Sequence, residues 1–198
     1  MKHLILASQS PRRRQLLTEV GLTFQVQSVS TEETYPKTMP LSEIATYIAK
    51  GKAVALWNTL NTPTQDQSVV LASDTIVVSN GQVLGKPKDT NEATAFLRLL
   101  SGGVHEVITG VYLLSATGHQ HFSVTTKVYF RELTEEQIDY YIRQYQPFDK
   151  AGGYAIQEWI GMVGIEKIEG DYYNVVGLPV GAVVEALKIF CPDIDGLV

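Results

Sequence analysis

Three arginines, Arg12, Arg13 and Arg14, follow Ser8, Ser10 and Pro11 in the stretch ASQSPRRRQLL. Ser10 and Pro11 read as a helix N-cap and a first helical residue. That end of a helix carries about +0.5 charge, so cations crowded there are frustrated unless an anion meets them. A phosphate would do so: free backbone N–H groups, serine hydroxyls and guanidinium forks would all point at it. The other reading has the arginines fanning into solvent or pairing with carboxylates. Asp74 follows an apolar run, residues 69–72, and emerges at what reads as a strand end. There it is a candidate catalytic or metal-binding carboxylate, or the cap of an Asx turn. Glu32 and Glu33 form a solvated acidic patch, or one of them joins Asp74 to hold Mg²⁺, which needs only one or two carboxylates besides phosphate oxygens.

Other residues could complete a site for a triphosphate. Lys52, late in a helix, and Lys86, in the triplet GKP, are candidates for the converging cations such a ligand needs, though single lysines are ordinarily surface residues. In KAGGYAIQ, Gly152 and Gly153 permit close backbone approach, and the Gln157 amide offers a donor beside an acceptor. That pair complements the O4 and N3–H edge of uracil or thymine; the alternative is a flexible turn with a surface glutamine. Asn174, Gly177 and Pro179 mark either ligand contact or a buried strand–turn–helix connection. His119 and His121 share one face of a strand but lack the third ligand of a zinc site. His105 and Cys191 have no partner visible in sequence, and Trp57 and Trp159 read as packing residues.

The elements that must position these residues alternate along the chain. An apolar strand, HLILA, leads to a helix over residues 11–20 stopped by Gly21, then an alternating strand, FQVQSVS. A loop carries Glu32 and Glu33 to a long helix over residues 41–60 that opens near Ser42 and bears Lys52. The polar connector NTPTQDQ follows. Residues 68–87 read as a strand, an acidic corner and a hairpin turning at Asn80-Gly81. A helix capped by Asp89 or Thr90, two strands about Thr117-Gly118, a helix ended by Pro147, a glycine loop, a strand, a glycine corner and a closing helix complete the chain. Strand–helix alternation interrupted by hairpins predicts an α/β or α+β architecture with a mixed, strongly curved sheet. No G-x-x-x-x-G-K-[ST] or G-x-G-x-x-G joins a strand to a helix, so the standard nucleotide cradles are absent.

The totals bound the function. The chain has 198 residues, 44% hydrophobic and 19% charged, with net charge −5. That size gives one sizeable core or two small lobes, and residues 1–198 are expected to form one domain. The acidic balance argues against coating nucleic acid but leaves room for a small anion on a local basic cluster. The single cysteine excludes an intramolecular disulfide and fits a reducing compartment. The first apolar stretch is too short for a signal peptide, and no run is long enough to span a membrane, so a cytoplasmic protein is expected.

Taken in order, ASQSPRR, ASDTIV, GKP, SGGVHEVITGV, DKAGGYAIQ and YYNVVGLP resemble the Maf family over almost the whole chain. The resemblance implies a nucleoside triphosphate pyrophosphatase that cleaves between the α- and β-phosphates with a divalent cation, Mg²⁺ or Mn²⁺. It implies a curved α/β sheet with two lobes about a central cleft, similar to the inosine triphosphate pyrophosphatases, and a homodimer would suit it. It assigns Asp74 as proton acceptor and links Arg12, Thr75 and Gln157 to choice of base. It suggests ligand contacts for Ser8, Ser10, Arg13, Glu33, Lys52 and Lys86. In the expected mechanism Asp74 and Glu33 are the carboxylates that hold the metal; an Asp bound tightly to metal is a poor base, so ligand and base are competing assignments for Asp74. GGYAIQ resembles the branch acting on dTTP and UTP. The family's link to septum formation keeps a second expectation open, a non-catalytic nucleotide sensor in cell division.

Overall fold

A computed structural model describes residues 2–196. The strands are β1 (His3–Leu6), β2 (Phe24–Val26), β3 (Ser68–Ser79), β4 (Gln82–Leu84), β5 (Val104–Ser115), β6 (Gly118–Phe130) and β7 (Ile165–Glu169). The helices are α1 (Pro11–Glu19), α2 (Leu41–Trp57), α3 (Thr62–Asp66), α4 (Thr90–Leu100), α5 (Glu135–Tyr145), α6 (Trp159–Gly164), α7 (Tyr172–Val176) and α8 (Val180–Phe190). The strands pair in the order β2-β1-β3-β5-β6-β7, with β4 on β3, in a mixed, open sheet flanked by helices. β1 runs parallel to both β2 and β3, with Leu4 opposite Phe24 and Val69.

The chain divides into two compact units. The first comprises residues 2–74, 109–124 and 177–196 of the described chain. Its core gathers Ile5, Val70, Ala72 and Tyr112 from strands and Ala7 from just past β1, with Ala49, Ala53 and Leu56 from α2. That helix lies directly on β5: a Cβ built at Gly110 would stand 2.2 Å from the Thr46 backbone nitrogen, so only glycine admits the helix this closely. The second unit comprises residues 75–108 and 125–176. Here Val77, Leu97, Val107, Phe130, Ile138, Tyr141, Tyr154 and Ile160 close the core.

The local signals account for most element ends. Asn80 and Gly81 both take positive φ, 50° and 76°, the turn geometry that returns β4 antiparallel onto β3. Asp89 caps α4 by accepting from the Glu92 N–H at 2.9 Å. Thr134 and Gln137 form a reciprocal capping box on α5, and Gln146 ends it in the left-handed region before Pro147.

Four expectations need correction. Asp74 is not at a strand end: β3 runs unbroken from Ser68 to Ser79, and all but Thr75 along it are buried. Its Val and Ile residues suit a strand buried on both faces, and the carboxylate finds its partner across the sheet face rather than in a turn. The polar connector holds a short helix, α3, capped by Asn61, whose side chain accepts from Thr64 N–H at 3.0 Å. Only residues 24–26 of FQVQSVS pair as a strand. The corner before the last helix contains α7, with Asn174 buried inside it.

Candidate active site

In the first unit the frustrated arginines have three different fates. Arg13 is buried; its Nε donates to the Gly177 carbonyl at 2.8 Å, and its Nη1 donates to the Ser73 carbonyl at 2.8 Å and to Ser8 Oγ at 3.3 Å. Arg12 is half-buried beside it and Arg14 is exposed. Burial pulls the Arg13 guanidinium below its usual range, and the neighbouring Asp74 offsets part of this. An arginine stays charged through such a shift, so a fixed positive charge lies under the β1–α1 corner. Ser8, not Ser10, is the hydroxyl that organises the corner, since it also accepts from the Ser10 N–H at 3.2 Å. Ser10 occupies the N-cap position with extended backbone, but its side chain makes no capping bond.

Asp74, Lys52 and Glu33 converge. Lys52 Nζ donates to Asp74 Oδ1 at 2.6 Å and to Glu33 Oε1 at 2.7 Å. Each side chain comes from a different element: Asp74 from the middle of β3, Lys52 from the last third of α2, Glu33 from the loop before it. Exposure rises along the chain of contacts, from Asp74 at 10% through Lys52 at 16% to Glu33 at 39% of the side chain. Burial pushes the Asp74 carboxyl up from its ordinary range, while Lys52 and Arg13 pull it back. The result is a carboxylate of raised basicity next to two fixed cations, the electrostatics of a general base for a reaction that gathers negative charge.

Asp74 and Glu33 both reach the Lys52 ammonium, so their carboxylates lie close enough to act as a pair of oxygen donors. Among the described residues no three His, Cys, Asp or Glu side chains group to hold a metal on their own. Two carboxylate oxygens are the donor chemistry of an open Mg²⁺ or Mn²⁺ site, whose other positions would be filled by water and phosphate oxygens.

In the second unit two glycine-bearing segments meet. The Gly152 N–H donates to the Gly85 carbonyl at 3.0 Å, which ties KAGGYAIQ to GKP and hence to the exposed Lys86. Gly152 takes φ +70°, and a Cβ there would come within 2.9 Å of Val77. Residues 152–156 are buried and Gln157, the next in line, is exposed. Thr75, half-buried on β3, also belongs to this unit. Ser8, Ser10, Arg12, Arg13, Glu33, Lys52 and Asp74 belong to the first.

Other candidates resolve as structure. Asn174 donates to the Val107 carbonyl and to Thr126 Oγ1, both at 3.0 Å, and locks a buried connection. His119 and His121 stack on Tyr112 at 5.3 and 5.8 Å. His105 Nε2 pairs with Tyr154 Oη at 2.7 Å inside the core. Sequence reasoning missed Tyr141, Lys150 and Glu158, which surround the Gln157 segment; the signal it passed over is a lysine and a glutamate bracketing an apolar glycine loop.

A family model described as Maf-like protein matches residues 3–190. The dTTP/UTP pyrophosphatase of Cytophaga hutchinsonii is 47% identical over 193 residues, 97% of this chain and 86% of that protein. That of Phocaeicola vulgatus is 47% identical over 186 residues, 93% of this chain and 94% of the relative. That of Parabacteroides distasonis is 45% identical over 188 residues, 94% and 95% of the two chains. On these matches, which run nearly from end to end, the chain belongs to the Maf family.

Proposed function

We propose that this chain hydrolyses dTTP and UTP to the nucleoside monophosphate and pyrophosphate; the relatives it matches are described as dTTP/UTP pyrophosphatases. The observation that carries the reading is the buried Asp74 carboxylate held against Lys52 beside Arg13. Asp74 accepts the proton of a water molecule as that water attacks phosphorus; the bridge between the α- and β-phosphates breaks and pyrophosphate departs with the bridging oxygen. Lys52, Lys86 and Arg12 offset the phosphate charge, and Arg13 lends its charge from beneath while fixing the Ser8 corner and the Ser73 carbonyl. Asp74 and Glu33 would hold the divalent cation, which supplies Lewis-acid polarisation and further charge neutralisation. Ser8 and Ser10 line the phosphate approach. Gln157, with Thr75 and Arg12, discriminates the base, the glutamine amide matching the O4 and N3–H edge of a pyrimidine.

No helix among the described residues is long and apolar enough to cross a membrane. With a single cysteine, buried and unable to form an intramolecular disulfide, we place the enzyme in the reducing cytoplasm.

The test is pyrophosphate release from a panel of nucleoside triphosphates with Mg²⁺, run on the parent and on Asp74→Asn. A general base is worth ~10²–10⁴-fold, so the variant should lose at least that much turnover while keeping its circular dichroism and melting temperature. Near-parental turnover in Asp74→Asn would remove Asp74 from the reaction.

A further inference from the structure

The segment that carries Gln157 is held on both sides by one hydroxyl. Tyr141, from α5, is fully buried, and its Oη accepts from the Ala155 N–H at 3.1 Å, two residues before Gln157. The same hydroxyl donates to Glu158 Oε2, one residue after Gln157, in a short hydrogen bond. Lys150 Nζ, on a side chain only 9% exposed, lies 3.4 Å from Glu158 Oε1 and 2.7 Å from Asp149. The Glu158 N–H closes back on the Ala155 carbonyl at 3.1 Å. Gln157 is thus the one exposed residue of a short arch, 155–158, whose two feet are joined through Tyr141.

We infer that Tyr141, with Glu158 and Lys150, is a positioning brace for base selection: it fixes the backbone from which the Gln157 amide reaches the pyrimidine edge. The inference rests on the function proposed above. Three features separate it from ordinary core packing. A buried tyrosine hydroxyl needs one partner, and this one has two, placed on either side of the same exposed residue. Burial and the Glu158 carboxylate push the Tyr141 hydroxyl well above its ordinary range, so it stays a donor at every working pH. Lys150 Nζ, on a nearly buried side chain, lies against both Asp149 and Glu158 Oε1, so the carboxylate that accepts from Tyr141 is held through its other oxygen as well. An amide that must present a donor and an acceptor in a set order discriminates only if its backbone is held still, because a free glutamine can turn to suit another base.

Tyr141→Phe removes the hydroxyl and keeps the ring that stacks on Tyr145. The expected result is a rise in KM for dTTP and UTP with kcat little changed. Selectivity for them over the other triphosphates should fall roughly tenfold. In a double-mutant cycle the effect on selectivity should vanish in the Gln157→Ala background, since the brace acts only through that side chain. Amide exchange gives an independent readout: the Ala155 N–H should be protected in the parent and lose that protection in Tyr141→Phe. Glu158→Gln, which keeps an acceptor but drops the charge facing Lys150, should give a smaller shift in the same direction.

An unchanged selectivity in an active, folded Tyr141→Phe overturns the brace. So does an equal loss with and without Gln157. If Tyr141→Phe does not fold, Glu158→Gln decides by the same two criteria. A parent that releases pyrophosphate from neither dTTP nor UTP overturns the proposed function first and the brace with it, whereas an active parent with indifferent variants overturns the brace alone.

Discussion

His105, with no partner visible in sequence, is buried in the second unit. It is 2% exposed, set between Phe130 and Tyr154, and burial drives its imidazole down to about 4. In the unfolded chain a histidine takes a proton near pH 6.5; in the folded protein this one does so only near 4. The unfolded state therefore binds more protons across that window, and stability falls as the pH drops from about 6.5 to 4, then levels. The ceiling of the effect is about 3 kcal/mol. Urea unfolding followed from pH 7.5 to 4.5 should show it, and His105→Phe should unfold with a shallower pH dependence. Parallel curves for the two proteins would mean that His105 does not carry the linkage. At this scale the sequence disclosed the charged residues but not their partners. Asp74 stands out because it follows an apolar run, and the arginines because cations crowd the positive end of a helix. That Lys52 reaches Asp74 depends on how α2 lies over the sheet, which residue spacing does not encode. Tyr141, Lys150 and Glu158 passed for ordinary helix and loop residues for the same reason.

Among the elements, α2 shows how backbone contact sets side-chain chemistry. Its approach to β5 at Gly110 fixes the height at which Lys52 meets Asp74 and Glu33. Gly110→Ala should push the helix off the strand, lowering stability by about 1–3 kcal/mol or more and reducing turnover together with it. Gly51, on the same helix, has nothing within 4 Å of its would-be Cβ, so Gly51→Ala should be neutral or stabilising by up to about 1 kcal/mol. Thermal melts of the pair, read beside their pyrophosphate release, separate a contact effect from a helix-propensity effect; equal melting temperatures would contradict the packing described here. Helices α1, α4, α5 and α8 and the Asn80-Gly81 hairpin were legible because caps, breakers and turn residues act locally. The unbroken β3 was not. Aspartate is depleted in strands, so the pattern argued for an exit at residue 74, and only the ammonium from another element makes a carboxylate tolerable inside a buried strand.

For the molecule as a whole, a net charge of −5 opposes a polyanionic substrate, and the local cations have to overcome it. A divalent cation on Asp74 and Glu33 would contribute to the same end. Chelation with EDTA should abolish pyrophosphate release and added Mg²⁺ or Mn²⁺ should restore it; full activity after chelation would remove the metal from the scheme. The architecture was legible at this scale, since strand–helix alternation with interrupting hairpins led to a mixed sheet flanked by helices. The division into two units was legible only through the family resemblance, because it depends on contacts between segments far apart in the chain. It also has an evolutionary corollary. On the proposed function, the proton-accepting Asp74 and the base-reading Gln157 reside in separately cored halves of the chain. Selection can then retune which nucleotide is accepted by rewriting residues around the 155–158 arch while leaving the bond-breaking apparatus untouched, and descendants with new preferences should differ first there.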